Sequence, residues 1–309
     1  MAIAIFRISP DIGLVPSQGG CGAARLLDCK PERARDNVII ANFRSTTRGS
    51  AMAFDVAGAK SYIQSIDLRG TPRSALSMDA ATEAGSVFDK AKDQAQVVGS
   101  GLFSFEQGVD PEVREAISDS ALLAQLHANK QVDFEKDPER WFVVYSEVLQ
   151  NVGWTVQDQG WTNYNAGGTQ AEVNEKVVDL LGVALGGSAT ALAVIKATID
   201  ALKGMAPDSP WITIFSREVQ KANIARFQVG LVSTDPNGDV FVSLVACIIR
   251  AQNEITQVLL FKLKSANATF RANTMKASIN RPSLTDLGPA IRSKTRAYQA
   301  DYLSSIKDV

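Results

Sequence analysis

The residues best suited to chemistry are scarce in this sequence, which contains one histidine, His127, and three cysteines, Cys21, Cys29 and Cys247. A zinc site needs three or four suitably spaced ligands, and no second pair accompanies Cys21 and Cys29, so we predict no metal site. A Ser–His–Asp or Cys–His relay would have to use His127 as its base. His127 lies near the end of a predicted helix, where histidine commonly interacts with the helix dipole. The sequence lacks the nucleophile-elbow and phosphate-loop motifs, so it identifies no catalytic residue.

Cys247 stands out among the cysteines because it lies in the most apolar segment of the chain, 240–249. One interpretation is a small buried hydrophobic residue, which is common for free cysteine. The other is that a fatty acyl chain is attached to Cys247 and lies between a sheet and helices, gaining about 0.8 kcal/mol per buried methylene. Cys21, in the glycine-rich segment 17–22, is the alternative attachment site. An odd number of cysteines argues against a disulfide framework.

The composition excludes several classes of protein. Of the 309 residues, 45% are hydrophobic and 21% are charged, as in ordinary globular proteins. The 32 basic and 33 acidic side chains leave a net charge of −1, so we predict no nucleic-acid partner. The N-terminal segment lacks the basic region and long apolar core of a signal peptide. We therefore expect cytoplasmic synthesis without a signal peptide, with release or membrane association as later steps.

Capping patterns predict most of the helices. Asp110-Pro111-Glu112 and Asp137-Pro138-Glu139 each combine an N-cap residue, a proline at the first helical position and an acid that interacts favourably with the helix dipole. Gly153 is suited to a left-handed C-cap after the second of these helices. The predicted helices are 111–129, 138–152, 170–185, 189–203, 210–222 and 284–306, with 75–98 as an alanine-rich candidate.

Strand patterns are clearest near the C-terminus. Segment 226–233 alternates polar and apolar residues, whereas 240–249 is apolar on both faces, which is typical of a central strand. Segments 226–233 and 240–249, together with 256–264 and then 267–273, predict an antiparallel meander. Segments 37–43 and 154–157 are shorter strand candidates. We therefore predict an α+β fold in which helices pack on a C-terminal antiparallel sheet, as one compact domain. Residues 101–309 would form the helical layer and meander, while 1–100 form an N-terminal portion without an assigned structure.

The run 180–195 contains no charged residue and is broken at Gly186–Gly187. It is shorter than the roughly 20 apolar residues that a membrane-spanning helix needs. One interpretation is a helical hairpin buried under a sheet, and the other is a hairpin that opens and inserts into a membrane. The candidate membrane-inserting residues are Leu180, Leu181, Val183, Leu185, Leu192, Val194 and Ile195.

A glycine-rich aromatic segment, 160–168, predicts a loop after the short strand 154–157. Its Trp161, Asn163 and Tyr164 are candidate binding residues, because aromatic and amide groups together can bind a sugar or a lipid headgroup. The same composition is typical of an irregular loop held in place by a tryptophan.

The sequence from Trp141 to Trp154, followed by the apolar helices and the cysteine-bearing strand, resembles the Erwinia virulence factor family over residues 100–309. The resemblance implies a compact α/β protein of bacterial origin that carries palmitate on a cysteine and associates with membranes. Cys247 is the nearest match to that acylated residue.

We therefore expect a bacterial, host-directed virulence or toxin-like protein whose partner is a host membrane or lipid, with palmitate on Cys247 and no other cofactor. Two alternatives remain open. One is a self-assembling capsid or sheath subunit, which would be a homo-oligomer. The other is an acyl-handling enzyme that uses Cys21 or Cys247 with His127 as base.

Overall fold

The computed structural model describes residues 54–69, 71, 88–167, 170–184, 188–251, 255, 267–303 and 307–309. Cys21, Cys29 and Leu185 lie outside the described residues. The predicted strands 37–43 and 256–264 and most of the predicted helix 75–98 lie outside them as well.

Eight helices and eight strands are described, and their bounds agree closely with the capping patterns. The helices are α1 (Val56–Ser65), α2 (Pro111–Gln131), α3 (Pro138–Asn151), α4 (Gln170–Ala184), α5 (Ala189–Lys203), α6 (Pro210–Val219), α7 (Arg281–Thr295) and α8 (Gln299–Tyr302). The strands are β1 (Gln94–Val98), β2 (Gly101–Phe105), β3 (Trp154–Gly167), β4 (Gln220–Lys221), β5 (Ile224–Thr234), β6 (Val240–Arg250), β7 (Asn267–Ile279) and β8 (Lys307–Asp308).

Local capping explains where several helices begin and end. The side chains of Asp137, Ser188 and Ser209 each accept a hydrogen bond from a backbone N–H in the first turn of α3, α5 and α6. Asp110 precedes α2 without making such a bond. Gly153 follows α3 with φ = 96°, the left-handed conformation predicted from its position.

The strands form one mixed sheet in the order β3-β7-β6-β5-β2-β1-β8, and β4 pairs with β5. All pairs are antiparallel except β2 with β5, which is parallel. The predicted α+β class is confirmed. The sheet is mixed, however, and it includes β1, β2 and β3 in addition to the C-terminal strands.

Helices cover both faces of this sheet because its central strands are apolar on both sides. Along β6, Val242, Leu244 and Ile248 face the core under α2, α3 and α7. Cys247 and Ile249 face the second core, under α4, α5 and α6. The prediction of a two-sided central strand for 240–249 is therefore confirmed.

Four predicted elements are wrong in part. The predicted helix 210–222 ends at Val219, and residues 220–221 form β4. Residues 94–98, predicted as the end of a helix, form β1, because all five are buried and pair with β2 and β8. The predicted helix 284–306 ends at Thr295 and continues as a 3-10 turn and α8. The predicted loop 160–168 is strand through Gly167, with Gly160 at φ = 81° in a bulge.

Two glycines leave room for the ring of Phe103: Gly101 on the same strand and Gly230 on the neighbouring strand β5. A Cβ atom on Gly101 would lie 2.7 Å from that ring, and one on Gly230 would lie 3.3 Å from it. Phe103 is fully buried, so the ring has no free space into which it could move.

We predict that Gly101→Ala lowers the free energy of unfolding by about 1–3 kcal/mol, because the added methyl overpacks the core. Urea denaturation measures the change. Gly288→Ala is the matched control, since nothing lies within 4 Å of a Cβ there and alanine is the better helix former. A loss of stability in the control as large as that in Gly101→Ala would contradict the packing argument.

Candidate functional site

Cys247 lies in the centre of the sheet with its side chain fully buried. Its strand neighbours in register are Phe227 and Ala272, and all three belong to the core beneath α4, α5 and α6. Burial raises the pKa of the Cys247 thiol well above its ordinary value. In this conformation the sulfur is therefore a protonated, water-excluded apolar group, which favours neither metal binding nor nucleophilic attack.

Helices α4 and α5, here called the α4–α5 hairpin, cover the sheet face that carries Cys247. The candidates Leu181, Val194 and Ile195 are buried in that core. Leu180 and Leu192 are half-buried, and 77% of Val183 is exposed. Among the described residues, none of the helices is both long and apolar enough to cross a membrane.

A single hydrogen bond joins the α4–α5 hairpin to the sheet among the described residues. It links Ser104 Oγ of β2 to Thr198 Oγ1 of α5 at 2.8 Å, and both side chains are fully buried. Because Thr198 Oγ1 donates to the carbonyl oxygen of Val194, Ser104 must be the donor in this pair. Aliphatic contacts provide most of the remaining attachment, and these have little directional preference.

The opposite helical layer is held by many more polar contacts. Arg271 of β7 pairs with Glu139 of α3. Gln125 of α2 accepts the N–H of Ser100 at 2.9 Å and donates to the carbonyl oxygen of Val98 at 2.7 Å. The two layers therefore differ in kind: α2 and α3 are fixed in position by directional bonds, while the α4–α5 hairpin is attached mainly by its apolar face.

Trp161, Asn163 and Tyr164 are on β3, and the structure does not bring the two aromatic rings together. Trp161 packs against Phe142 of α3, with ring centroids 5.3 Å apart. Tyr164 packs against Phe270 at 5.8 Å, on the other face of the sheet. Asn163 is exposed. Strand pairing with β7 thus replaces the predicted binding loop.

His127 is half-buried on α2, which covers the sheet face opposite Cys247. Burial lowers the pKa of its imidazole. The described structure therefore does not form a relay between His127 and Cys247. Among the described residues there is also no cluster of three or more side chains that could hold a metal ion.

The sequence analysis missed a buried arginine, Arg226, which lines a pocket of about 810 Å³. Its guanidinium carbon lies 3.5 Å from the ring centroid of Trp141 and 4.5 Å from that of Phe134. Its Nη1 donates to Ser100 Oγ at 2.7 Å and its Nη2 donates to Asn129 Oδ1 at 2.6 Å. The pocket lies where the ends of α2, α6 and α8 meet.

Burial lowers the pKa of Arg226 to about 9, so the group stays charged at pH 7. The alternation of β5 contained a signal for this residue, because it places Arg226 on the same inward face as Ile224 and Val232. A charged residue at an inward position is costly unless it has partners, and such positions often mark a functional site.

No protein-family model matches the chain, and no curated protein matches it. Among solved structures, the chain is similar to one described as the structure of the Evf virulence factor. The sequence identity is 12% and the TM-score is 0.35, and the match covers 69% of this chain and 90% of that chain. It is also similar to a delta-endotoxin, with 12% sequence identity and a TM-score of 0.38. That match covers 67% of this chain and 88% of the delta-endotoxin chain. These structural neighbours are a virulence factor and a toxin.

We predict that Cys247 resists alkylation in the native protein. In a variant that keeps only this cysteine (Cys21→Ser, Cys29→Ser), iodoacetamide should react at least about a hundredfold more slowly than after denaturation, because the thiolate is both rare and inaccessible. The rate should keep rising with pH beyond the ordinary thiol pKa, because burial raises the pKa of Cys247. Mass spectrometry follows the reaction.

The matched control places a thiol on the exposed end of the same layer, as Val183→Cys in a background without other cysteines. That thiol should react freely. Equal rates for Cys247 and Val183→Cys in native protein would contradict the burial of Cys247.

Proposed function

We propose that this protein is a bacterial, host-directed toxin-like protein that associates with membranes by releasing the α4–α5 hairpin from the sheet. The observation that carries the proposal is that, among the side chains that the structure describes, one buried hydrogen bond, one contact of Lys176 with the Tyr164 ring and otherwise apolar contacts attach that hairpin to the sheet. The lipid interior is as apolar as the core that the hairpin would leave, so the hairpin itself sacrifices little apolar burial. The sheet face that it uncovers is apolar as well and must also meet lipid. Losing one neutral hydrogen bond costs about 0.5–1.5 kcal/mol.

The same movement would be far more costly for the opposite layer. Removing α2 and α3 would break the ion pair of Arg271 with Glu139 and leave the buried guanidinium of Arg226 without Asn129. Unpaired charges in an apolar environment are strongly unfavourable. The contrast between the two layers therefore favours the α4–α5 hairpin as the element that meets the membrane.

The length and charge of the α4–α5 hairpin favour a position at the membrane surface. Each helix has 15 residues. A helix of that length extends about 22 Å, less than the hydrocarbon core of about 30 Å. The outer side of the hairpin carries the exposed charges Asp179, Lys196, Asp200 and Lys203. We infer that the hairpin lies in the interface with its apolar side toward the lipid.

Acylation of Cys247 belongs to the same proposal. A fatty acyl thioester donor would transfer its acyl group to the Cys247 sulfur, and the thiol proton would pass to the thiolate of the departing donor. Since Cys247 is fully buried under the closed α4–α5 hairpin, the transfer requires an open hairpin or an incompletely folded chain. The attached chain would then add membrane affinity of about 0.8 kcal/mol per buried methylene.

We predict that cross-linking the hairpin to the sheet abolishes membrane activity. The Ser104 and Thr198 oxygens are 2.8 Å apart, so Ser104→Cys with Thr198→Cys places two sulfurs near bonding distance. With Cys21 and Cys29 replaced by serine, the oxidised variant should release at least about tenfold less dye from phosphatidylcholine–phosphatidylglycerol vesicles than its reduced form, a difference of about 1.4 kcal/mol. Thiol counting verifies the disulfide.

Reduction of the same sample is the internal control and should restore release. The single variant Ser104→Cys, treated with the same oxidant, should remain active. Equal dye release by the oxidised and reduced double variant, or no release by wild-type protein between pH 4 and pH 8, would count against the proposal.

We also predict that protein purified from its native producer carries one fatty acyl group, which neutral hydroxylamine removes because it is held by a thioester. Intact-mass measurement before and after hydroxylamine detects it, and Cys247→Ser should lack it. An unmodified native mass argues against acylation, while retention of the group in Cys247→Ser assigns it to another residue such as Cys21.

A further inference from the structure

Arg226 is a buried cation that has no carboxylate partner among the described residues. Only 1% of the residue is exposed, and its two hydrogen-bond acceptors among the described residues are the neutral oxygens of Ser100 and Asn129. The carboxylate whose charge acts on it, that of Glu218, is paired with Arg217 at 2.8 Å. A charge in an apolar interior normally has a counter-ion, so Arg226 requires an explanation.

The hydrogen-bonding capacity of the guanidinium is also incompletely used. Of the five N–H donors of an arginine, the described residues accept two. Its Nε atom is buried and has no partner in the described structure. An anionic oxygen is the acceptor that a guanidinium binds most strongly, through two parallel hydrogen bonds where the geometry allows.

The surroundings hold the guanidinium in one orientation. Trp141 stacks on it and donates from its Nε1 to the same Asn129 oxygen, at 2.8 Å, that accepts from Arg226. Ser100, the other acceptor, in turn donates to Gln125 Oε1 at 3.0 Å. This support is the preorganisation expected around a recognition group rather than around a mobile surface arginine.

The pocket beside Arg226 has an excess of positive charge. Five of its lining residues are basic and three are acidic. The other four basic side chains, Arg69, Lys130, Arg217 and Lys221, each pair with a carboxylate. Arg226 is thus the one basic lining residue whose charge has no pairing partner among the described residues.

We propose that this pocket binds a small organic anion whose carboxylate or phosphate group hydrogen-bonds to the guanidinium of Arg226. The volume of about 810 Å³ is within the range of small-molecule sites. Phe134, Val132 and Tyr302 supply an apolar side for the body of the ligand, and the basic residues at the rim favour its entry. Phe134 also lies over the guanidinium, so its ring must shift when an anion reaches Arg226.

This site is independent of the membrane proposal, because it lies where the ends of α2, α6 and α8 meet and none of its lining residues belongs to the α4–α5 hairpin. A soluble ligand bound here would stabilise the layer that stays on the sheet. Failure of the vesicle experiment therefore leaves the anion site untouched, and failure of the anion experiment leaves the vesicle proposal untouched.

The test titrates the full chain with phenyl phosphate and with benzoate, and uses benzyl alcohol as the neutral comparison at constant ionic strength. Tryptophan fluorescence reports binding, because Trp141 contacts Arg226. We expect saturable binding of one or both anions and none of the alcohol. Arg226→Met, which keeps an unbranched side chain but removes the guanidinium and its charge, should bind at least about tenfold more weakly.

Arg140→Gln is the matched control, since Arg140 is an exposed arginine near the start of α3 that does not line the pocket, and it should bind as wild type does. If Arg226→Met does not fold, Lys221→Gln at the exposed rim provides the test, with binding weakened about threefold. The absence of saturable binding by wild-type protein overturns the proposal. Wild-type affinity in Arg226→Met also overturns the proposal. If only Lys221→Gln folds, wild-type affinity in that variant overturns it.

Discussion

The burial of β5 and β6 on both faces is the constraint on which the rest of the structure depends. Alternate residues of β6 enter two different cores, so neither face can meet water without exposing Val, Leu or Ile side chains. The chain meets this requirement with one group of helices on each face. The complete burial of Cys247 in the second of these cores follows from having two covers rather than one.

The two covers use different physical interactions. The layer of α2, α3 and α7 combines apolar packing with ion pairs and buried hydrogen bonds, including the contacts of Gln125 and Arg226. Directional bonds of this kind specify one arrangement. The α4–α5 hairpin relies on aliphatic packing and the Ser104–Thr198 pair. One side of the sheet therefore holds a precisely positioned guanidinium, while the other is covered mainly through apolar contacts.

Local signals in the sequence were enough to predict the helices that begin at capping residues and the two-sided strand β6. They failed at β1 and at residues 160–167 of β3, because those segments are strands only through pairing with distant partners. The pocket beside Arg226 likewise could be predicted only as far as local sequence patterns reach. Alternation in β5 can indicate that Arg226 points inward, but its contacts with Trp141 and Asn129 come from helices elsewhere in the chain.

The parallel pairing of β2 with β5 has a consequence for biosynthesis. The hairpin of β1 and β2 leaves the ribosome before the five helices and the two strands that separate it from β5 have been made. Until β5 emerges, the hydrogen-bonding edge of β2 lacks its final partner, and Leu102 and Phe103 lack their complete cover. The unpaired backbone groups of such an edge can pair with another nascent chain. Folding therefore cannot proceed strictly from the N-terminus onward, and completion of the sheet must await the late meander.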